Sequence, residues 1–247
     1  MSRFFIDKDC ISGDFVKITG EDVQHIKKVL RMRTGEMLVA CDMDGTDFDC
    51  EITEIDDKYV EARILNSKKS ESEAPIKVTL FQGIPKSDKM EFIIQKCVEL
   101  GIHSIIPVKT ERTVVKFENS KDEEKKQQRW QKIAVEAAKQ CNRGRLPKVN
   151  NPINFNMALQ VAKEYDLVLV PYENENLQGL KKVLQEYRSA KSIAVFIGPE
   201  GGFAEDEIKK CLELNYFSVS LGKRILRTET AGLTVLSILM YELGDVG

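Results

Sequence analysis

The feature that most constrains the fold is an alternation of short apolar runs and helical patterns that starts at Ile76 and continues to Leu243. The apolar runs are too short to be helices and cover residues 76–81, 104–108, 167–171, 192–197 and 217–221. Helical patterns cover residues 87–100, 121–141, 154–163, 177–187, 205–214 and 228–243. Buried strands that alternate with helices predict an α/β fold with a mostly parallel sheet covered on both faces. Ligands of such sheets bind outside the C-terminal strand ends, here near Pro171, Gly198 and Leu221.

The first 65 residues show a different pattern. Residues 36–42, 47–55 and 59–65 alternate apolar and polar side chains, which predicts half-buried strands. One helix is predicted over residues 21–32, with Val23, Ile26, Val29 and Leu30 as its apolar stripe. These elements predict a small β-barrel-like domain over residues 1–70. Residues 66–75 are polar and end in proline, which predicts a linker to a second domain over residues 75–247.

Composition excludes several classes of protein. The 247 residues are 42% apolar and 31% charged, which is typical of a globular protein and argues against disorder. No run approaches the roughly 18 apolar residues that a membrane helix needs, and the N-terminus lacks the pattern of a signal peptide, so a cytoplasmic location is expected. The six cysteines have no metal-ligand spacing and there are only two histidines. We therefore predict structural thiols and no metal site.

Charge is unevenly distributed along the chain. Residues 1–74 contain 11 basic and 17 acidic groups, a net charge of −6, whereas residues 109–148 contain 12 basic and 6 acidic groups, a net charge of +6. A basic stretch in a mildly acidic protein indicates a polyanionic partner. The solvated face of a charged helix explains the same stretch equally well.

A glycine-rich turn, Gly198-Pro-Glu-Gly-Gly202, follows one of the predicted strands. Glycine lets backbone amides approach a ligand closely, because no Cβ atom stands in the way. The turn has neither the GK[ST] ending of a P-loop nor the GxGxxG spacing of a dinucleotide-binding loop. Taken alone, it also fits a tight turn that only connects a strand to a helix.

A second polar loop leads into the apolar helix predicted at residues 228–243. Thr228 as N-cap and Glu229 in the first helical turn have an ordinary structural explanation. Arg227 does not, because a cation at a helix N-terminus opposes the helix dipole. We therefore expect Arg227 to meet an anion, such as a phosphate or a carboxylate.

Together the two loops resemble those of a known family. Phe196-Ile-Gly-Pro-Glu-Gly-Gly-Phe203 and Leu221-Gly-x-Arg-Ile-Leu-Arg-x-Glu-Thr-Ala231 are similar to the SPOUT RNA methyltransferases of the RsmE type, which methylate N3 of uracil in 16S rRNA. The resemblance extends nearly end to end. It includes His25-x-x-x-Val-Leu-Arg31-x-x-x-Gly35, residues 86–101, Glu111-Arg112 and Glu136-Ala-Ala-x-Gln140-x-x-Arg143.

This resemblance implies a fold, a cofactor and partners. The fold is a SPOUT-type parallel sheet with a C-terminal trefoil knot, preceded by a PUA-like RNA-binding β-barrel. The implied methyl donor is S-adenosylmethionine, and the implied partners are 16S rRNA or the small ribosomal subunit and a second copy of the chain. The implied reaction methylates N3 of one specific uridine. The last predicted helix is apolar enough to pack against another subunit, or equally to be an internal core helix.

The chemistry at uracil N3 suggests roles for three side chains. N3 carries an imide proton and is a poor nucleophile until that proton leaves, so positioning and charge stabilisation are needed. Arg227 is the candidate for orienting the phosphate or stabilising a uracil oxygen. Glu200 and Glu229 are the candidate proton acceptors, although helix capping or loop bracing explains either residue as well.

Within the resemblance, the donor pocket is expected to be built from small and apolar residues at three strand ends. These residues are Val170, Pro171, Gly198, Gly202, Leu221, Leu226 and Ala231. RNA contacts are expected from both domains, through the cations Lys28, Arg31, Arg33, Lys86, Lys89, Arg112 and Arg143. No aromatic stacking platform is apparent, so recognition by shape is favoured over reading of a linear sequence.

Two alternatives remain open from the sequence. A SPOUT enzyme could modify another atom, such as a ribose 2′-oxygen. A non-catalytic RNA-binding factor for ribosome assembly could also use the same scaffold.

Overall fold

The protein divides into two compact units in the computed structural model, which describes residues 2–172 and 179–246. The first unit contains residues 1–73 and 138–146, and the second contains residues 74–137 and 147–247. Compactness alone does not test the predicted division into an RNA-binding and a catalytic domain, which stays a prediction. None of the helices that the structure describes is long and apolar enough to span a bilayer.

The first unit is built on a six-stranded sheet. Its strands are β1 (Arg3–Phe5), β2 (Ile11–Ser12), β3 (Phe15–Thr19), β4 (Met37–Cys41), β5 (Thr46–Ile55) and β6 (Tyr59–Lys69), in the order β1-β4-β5-β6-β3-β2. All neighbouring pairs are antiparallel except β1 and β4. Register shifts at Asp49/Cys50 and Ile52/Glu54 bend β5 against β6. The predicted barrel-like sheet is confirmed, and the short strands β1 to β3 are additional to the predicted ones.

The predicted helix of this unit is shorter than expected and changes its winding. It begins as α1 (Glu21–Gln24) and continues as a π-helix from His25 to Leu30, where Arg31 ends it at a left-handed φ of 53°. Val23 and Ile26 are buried, but Val29 is 66% exposed and Leu30 is 38% exposed. A π-helix has a wider turn than an α-helix, so later side chains rotate away from the face set by the first turn. The predicted apolar stripe was therefore wrong at its C-terminal end.

The predicted linker over residues 66–75 was also wrong in its first half. Residues 66–69 continue β6, because they pair in register with Thr46–Asp49 of β5. The polar side chains of this segment are exposed, as expected for the solvent side of a strand. Polarity alone cannot distinguish such an extension from a linker.

Residues 141–146 are held to the first unit by a buried charge. The Glu73 carboxylate accepts hydrogen bonds from the Arg143 guanidinium at 2.8 and 2.7 Å and from the Gly144 and Arg145 amides at 2.9 and 3.0 Å. The Arg143 side chain is only 4% exposed. The Cys41 thiol lies 2.9 Å from the Gly144 carbonyl oxygen. This segment is part of the fold of the first unit.

The second unit is an α/β layer built on a seven-stranded sheet. Its strands are β7 (Lys77–Gly83), β8 (Ser104–Lys109), β9 (Lys148–Val149), β10 (Ile153–Asn154), β11 (Leu167–Pro171), β12 (Ser192–Ile197) and β13 (Phe217–Val219). Six follow the order β10-β8-β7-β12-β11-β13, and β9 pairs with β8. Every one of these pairs is parallel. The predicted parallel sheet is confirmed.

Helices connect these strands at the predicted places. They are α2 (Lys89–Glu99), α3 (Ser120–Gln140), α4 (Phe155–Val161), α5 (Leu180–Glu186), α6 (Glu205–Glu213) and α7 (Thr228–Glu242). Residues 177 and 178 of the helix predicted at 177–187 lie outside the described residues.

A buried aromatic cluster fills one side of the sheet, with Phe81 stacked on Phe196 at a centroid distance of 4.5 Å. Helix α7 follows the edge strand β13 but packs against β7, β12 and α2. The chain therefore returns from the edge of the sheet to its centre between residues 220 and 227.

Candidate active site

A cavity of about 510 Å³ lies in the second unit, beyond the C-terminal ends of β11, β12 and β13. Its walls come from the two loops that the sequence indicated and from the start of α7. It is lined by Lys89, Pro171, Tyr172, residues 197–200, Gly202, Phe203, residues 220–228 and Ala231. The position outside the carboxyl ends of parallel strands is the one expected for a ligand site.

Six of the seven residues predicted for a donor pocket line this cavity. They are Pro171, Gly198, Gly202, Leu221, Leu226 and Ala231. Val170 differs, because it is fully buried within β11 and does not line the cavity. We correct its predicted contact with the donor to a place in the core cluster of the second unit.

Close backbone packing explains the glycines around the first loop. The loop closes through a hydrogen bond from the Gly202 amide to the Pro199 carbonyl oxygen, and Gly202 has a φ of +67°. A Cβ atom on Gly198 would lie 3.0 Å from the backbone of Gly202. A Cβ atom on Gly83, in the neighbouring β7, would lie 2.6 Å from Pro199 Cδ, so only glycine fits there without movement.

The start of α7 is joined to the glycine loop by a buried hydrogen bond. Arg227, not Thr228, is the N-cap residue, and its side chain makes no capping bond. Thr228 is buried and its hydroxyl donates to the Gly198 carbonyl oxygen at 2.6 Å. The amide nitrogen of Gln82 donates to the same hydroxyl oxygen at 2.9 Å. The prediction of Thr228 as the N-cap was wrong, because its hydroxyl bonds to another loop instead of capping its own helix.

The two predicted proton acceptors share one lysine. The Lys89 ammonium lies 2.9 Å from Glu200 Oε1 and 3.5 Å from Glu229 Oε2. Glu200 also accepts from the Lys86 amide at 3.2 Å. Partial burial would raise the pKa of Glu200, but the hydrogen bonds from Lys89 and from backbone amides outweigh it and lower that pKa below its usual value. The hydrogen bond with Glu200 raises the pKa of Lys89.

Two arginines lie at the glycine loop and the start of α7. Arg227 lines the cavity and is exposed, and its guanidinium has no hydrogen-bond or ion-pair partner among residues 2–172 and 179–246. Arg112 donates to the Gly201 carbonyl oxygen at 2.8 Å. Arg112 thus braces the outer side of the loop, and Arg227 is available to a ligand.

The comparisons with known proteins are consistent along the whole chain. Residues 72–240 match the RNA methyltransferase domain family, and residues 18–65 match the RNA methyltransferase PUA domain family. Ribosomal RNA small subunit methyltransferase E of Bacillus subtilis is 37% identical, over 98% of this chain and 97% of the relative. This chain belongs to that RNA methyltransferase family.

Other relatives of this RNA methyltransferase agree in sequence and fold. The protein of the same name from Mesomycoplasma hyopneumoniae is 33% identical over 96% of this chain and 98% of its own length. The crystal structure of ribosomal RNA small subunit methyltransferase E from Neisseria gonorrhoeae, bound to S-adenosyl methionine, superposes with a TM-score of 0.86 at 32% identity over 100% of both chains. The predicted RsmE-type resemblance is confirmed, and with it the class of RNA methyltransferase.

The cations predicted to bind RNA fall into three groups in this RNA methyltransferase. Lys28, Arg31 and Arg33 are exposed in the first unit, and Lys86 is exposed in the second. Lys89 and Arg112 are engaged with the glycine loop and with the carboxylates beside it. Arg143 is buried and paired with Glu73, so we correct its predicted role from RNA contact to structural anchor.

Gln82 is a site residue that sequence reasoning missed. It ends an apolar run in β7 and is fully buried, although it is polar. A polar side chain at the C-terminal end of a buried parallel strand was the available signal, since ligands of such sheets bind at that edge. Its partner, Thr228, is 146 positions away, so no local pattern could connect them.

Proposed function

We propose that this protein transfers a methyl group from S-adenosylmethionine to N3 of a specific uridine in the 16S rRNA of the small ribosomal subunit. The observation that carries the proposal is the convergence of the two loops on one cavity, with an unpaired arginine facing it. The relatives named above supply the substrate class, and the site supplies residues suited to that chemistry.

The cavity suits the proposed donor. Its volume lies in the range of about 300–1,000 Å³ that is usual for small-molecule sites. Leu221, Leu226 and Ala231 give it an apolar wall for an adenine ring, and Gly198 and Gly202 add a stretch of wall without side chains, where backbone groups can face the donor. When bound, S-adenosylmethionine supplies an electrophilic methyl group on a sulfonium.

The protein's own side chains would handle the uracil. Arg227 is free to bind a phosphate or a uracil oxygen and so to stabilise negative charge that develops as the N3 proton leaves. Of the two predicted proton acceptors we retain Glu229. Glu200 is a weaker base because its pKa is lowered, and it braces the loop through Lys86 and Lys89. Glu229 directly follows Thr228, which lines the cavity.

RNA binding is proposed to use exposed cations in both units. Lys28, Arg31 and Arg33 surround the end of the π-helix, and Lys86 precedes α2. Each phosphate that such a cation neutralises releases a counterion, so binding should weaken steeply with salt. In this proposal residues 1–70 are the PUA-like RNA-binding domain and residues 75–247 are the methyltransferase domain, of which residues 138–146 are part of the first compact unit.

Three further features belong to the same proposal. The return of the chain from β13 to the centre of the sheet supports a trefoil knot formed by the loop over residues 220–227. The apolar helix α7 supports a homodimer, because Tyr241 is 67% exposed on it. A substrate in the ribosome supports a cytoplasmic location.

The test is a reaction with purified components. We expect small ribosomal subunits that lack the modification, incubated with the protein and S-adenosylmethionine, to gain 3-methyluridine in nucleoside mass spectrometry. A ribose-methylated nucleoside in its place would reassign the target atom. Binding of subunits without methyl transfer and without donor binding in calorimetry would instead support a non-catalytic assembly factor.

A further inference from the structure

Gln82 is fully buried at the end of β7, beside the wall of the cavity but not part of its lining. Its amide nitrogen donates two hydrogen bonds, to the Gly83 carbonyl oxygen and to the Thr228 hydroxyl oxygen, both at 2.9 Å. We propose that Gln82 is a positioning residue for the donor pocket, which fixes the direction of the Thr228 hydroxyl and through it the Gly198 carbonyl. This inference rests on the proposed function, because it takes the cavity as the site of S-adenosylmethionine.

The direction of each hydrogen bond follows from the chemistry of the groups. A carbonyl oxygen only accepts, so the Gln82 atom that faces Gly83 must be the nitrogen, and the reverse orientation would set two oxygens 2.9 Å apart. The nitrogen then donates to Thr228, which occupies a lone pair of the hydroxyl oxygen. The single hydroxyl hydrogen is left to point at the Gly198 carbonyl oxygen, 2.6 Å away.

The relay joins three elements that meet at the cavity. Gln82 belongs to β7, Gly198 starts the glycine loop after β12, and Thr228 opens α7. Pro199 has no N–H, so the peptide group between Gly198 and Pro199 can be held only through its carbonyl oxygen. Gln82 thus fixes the orientation of the peptide group between Gly198 and Pro199, and Gly198 is part of the cavity wall.

The other end of the Gln82 side chain argues against a purely structural role. Its amide oxygen is buried and has no hydrogen-bond partner among the described residues. A buried acceptor without a donor destabilises the folded state. This cost offsets part of what the two hydrogen bonds of the nitrogen contribute, so stability alone does not explain a glutamine here.

The experiment compares Gln82→Met with the wild type in donor calorimetry, thermal unfolding and steady-state kinetics. Methionine keeps the volume but removes both donors and the unpaired oxygen. We expect the dissociation constant and KM for S-adenosylmethionine to rise about tenfold, with the KM for RNA unchanged. The melting temperature should fall modestly, because the buried Gly83 carbonyl oxygen loses its donor. Thr228→Val should produce the same increase, and the double variant should show little further loss.

The matched control is Thr79→Val, a buried threonine of the same strand that bonds to Tyr165 and Ser104 outside the cavity. It should lower the melting temperature and leave donor affinity unchanged. Unchanged donor affinity in both Gln82→Met and Thr228→Val would overturn the inference and leave the proposed function standing. No donor binding by the wild type would overturn the proposed function itself. If Gln82→Met does not fold, Thr228→Val alone decides.

Discussion

At the scale of single residues, the ammonium group of Lys89 is the centre of the charged cluster beside the cavity. It lies 2.9 Å from Glu200 and 3.5 Å from Glu229, while Arg227 has no hydrogen-bond or ion-pair partner among the described residues. The carboxylates beside the cavity are therefore paired within the protein, whereas the Arg227 guanidinium is available to a ligand. This difference is the basis for two predictions.

Replacing Arg227 with alanine should reduce turnover and spare the donor. If its guanidinium stabilises charge on the RNA substrate, kcat should fall by about 10²–10³-fold, the usual cost of losing one such group. The dissociation constant for S-adenosylmethionine should stay within about twofold of the wild type, because the glycine loop and the apolar residues Leu221 and Leu226 of the cavity wall remain. Calorimetry and single-turnover kinetics measure the two effects separately. A loss of donor affinity with turnover preserved would place Arg227 in the donor pocket instead.

Glu200 should stabilise the fold in a pH-dependent way. Its pKa is lower in the folded protein than in the unfolded chain, so its contribution is present above the unfolded pKa and is lost as the pH falls through the folded pKa. Glu200→Gln should therefore lower the melting temperature at about pH 7, and by less at a pH below the folded pKa of Glu200. Because the ion pair with Lys89 is partly exposed, the difference should also shrink at high salt. An equal difference at both pH values would contradict this assignment.

The sequence predicted those parts of the site whose signal lies within a short window of residues. The glycine loop and the residues from Leu221 to Ala231 could be predicted because their composition is unusual over short windows. Arg143 could not be distinguished from an RNA contact, since its partner Glu73 is 70 positions away. For the same reason Gln82 gave only the weak signal of a polar residue in a strand.

At the scale of elements, the strands and helices of the second unit agree with the predicted segments to within a few residues. Their apolar runs are short and separated by clear helical patterns, so the period of hydrophobicity suffices. In the first unit the period of hydrophobicity gave a wrong prediction at two places. The π-helix rotates Val29 and Leu30 into solvent, and the polar residues 66–69 gain strand structure only by pairing with β5. Neither the winding of a helix nor the pairing partner of a strand can be predicted from local composition.

The segment over residues 141–146 should depend on its buried ion pair. Arg143→Met leaves the Glu73 carboxylate without its main counter-charge, so unfolding should become easier by about 3 kcal/mol. The matched control is Arg33→Ala, which removes an exposed cation and should not change stability. Urea unfolding should change in Arg143→Met only, and the salt dependence of RNA binding should change in Arg33→Ala only. If Arg143→Met altered only the salt dependence, Arg143 would be an RNA contact after all.

The contact between β7 and the glycine loop should tolerate no side chain at position 83. A Cβ atom in Gly83→Ala would lie 2.6 Å from Pro199 Cδ, so the loop must move. We expect a lower melting temperature and donor binding weakened by about tenfold or more. Gly179→Ala is the control, because its Cβ atom would have no neighbour within 4 Å. Equal donor affinities in the two variants would show that the loop position is not critical.

At the scale of the whole molecule, the proposed homodimer is open to direct measurement. Light scattering should give a mass of about twice the 28.1 kDa of one chain. Tyr241→Glu, on the exposed face of α7, should shift that mass towards a monomer because it buries a charge in the interface. A single-chain mass for the wild type, at concentrations where it is active, would refute the dimer.

The order in which the cavity walls occur along the chain has a consequence for biosynthesis. Pro171 and the glycine loop are made first, and the start of α7, which contains Ala231, completes the cavity after them. The proposed donor pocket is therefore incomplete in a growing polypeptide until residue 231 and the helix that contains it have left the ribosome exit tunnel. Donor binding stabilises only chains that have passed this point. Complete chains should therefore gain protease resistance in the presence of S-adenosylmethionine. Chains whose synthesis stopped before residue 231 should not gain it.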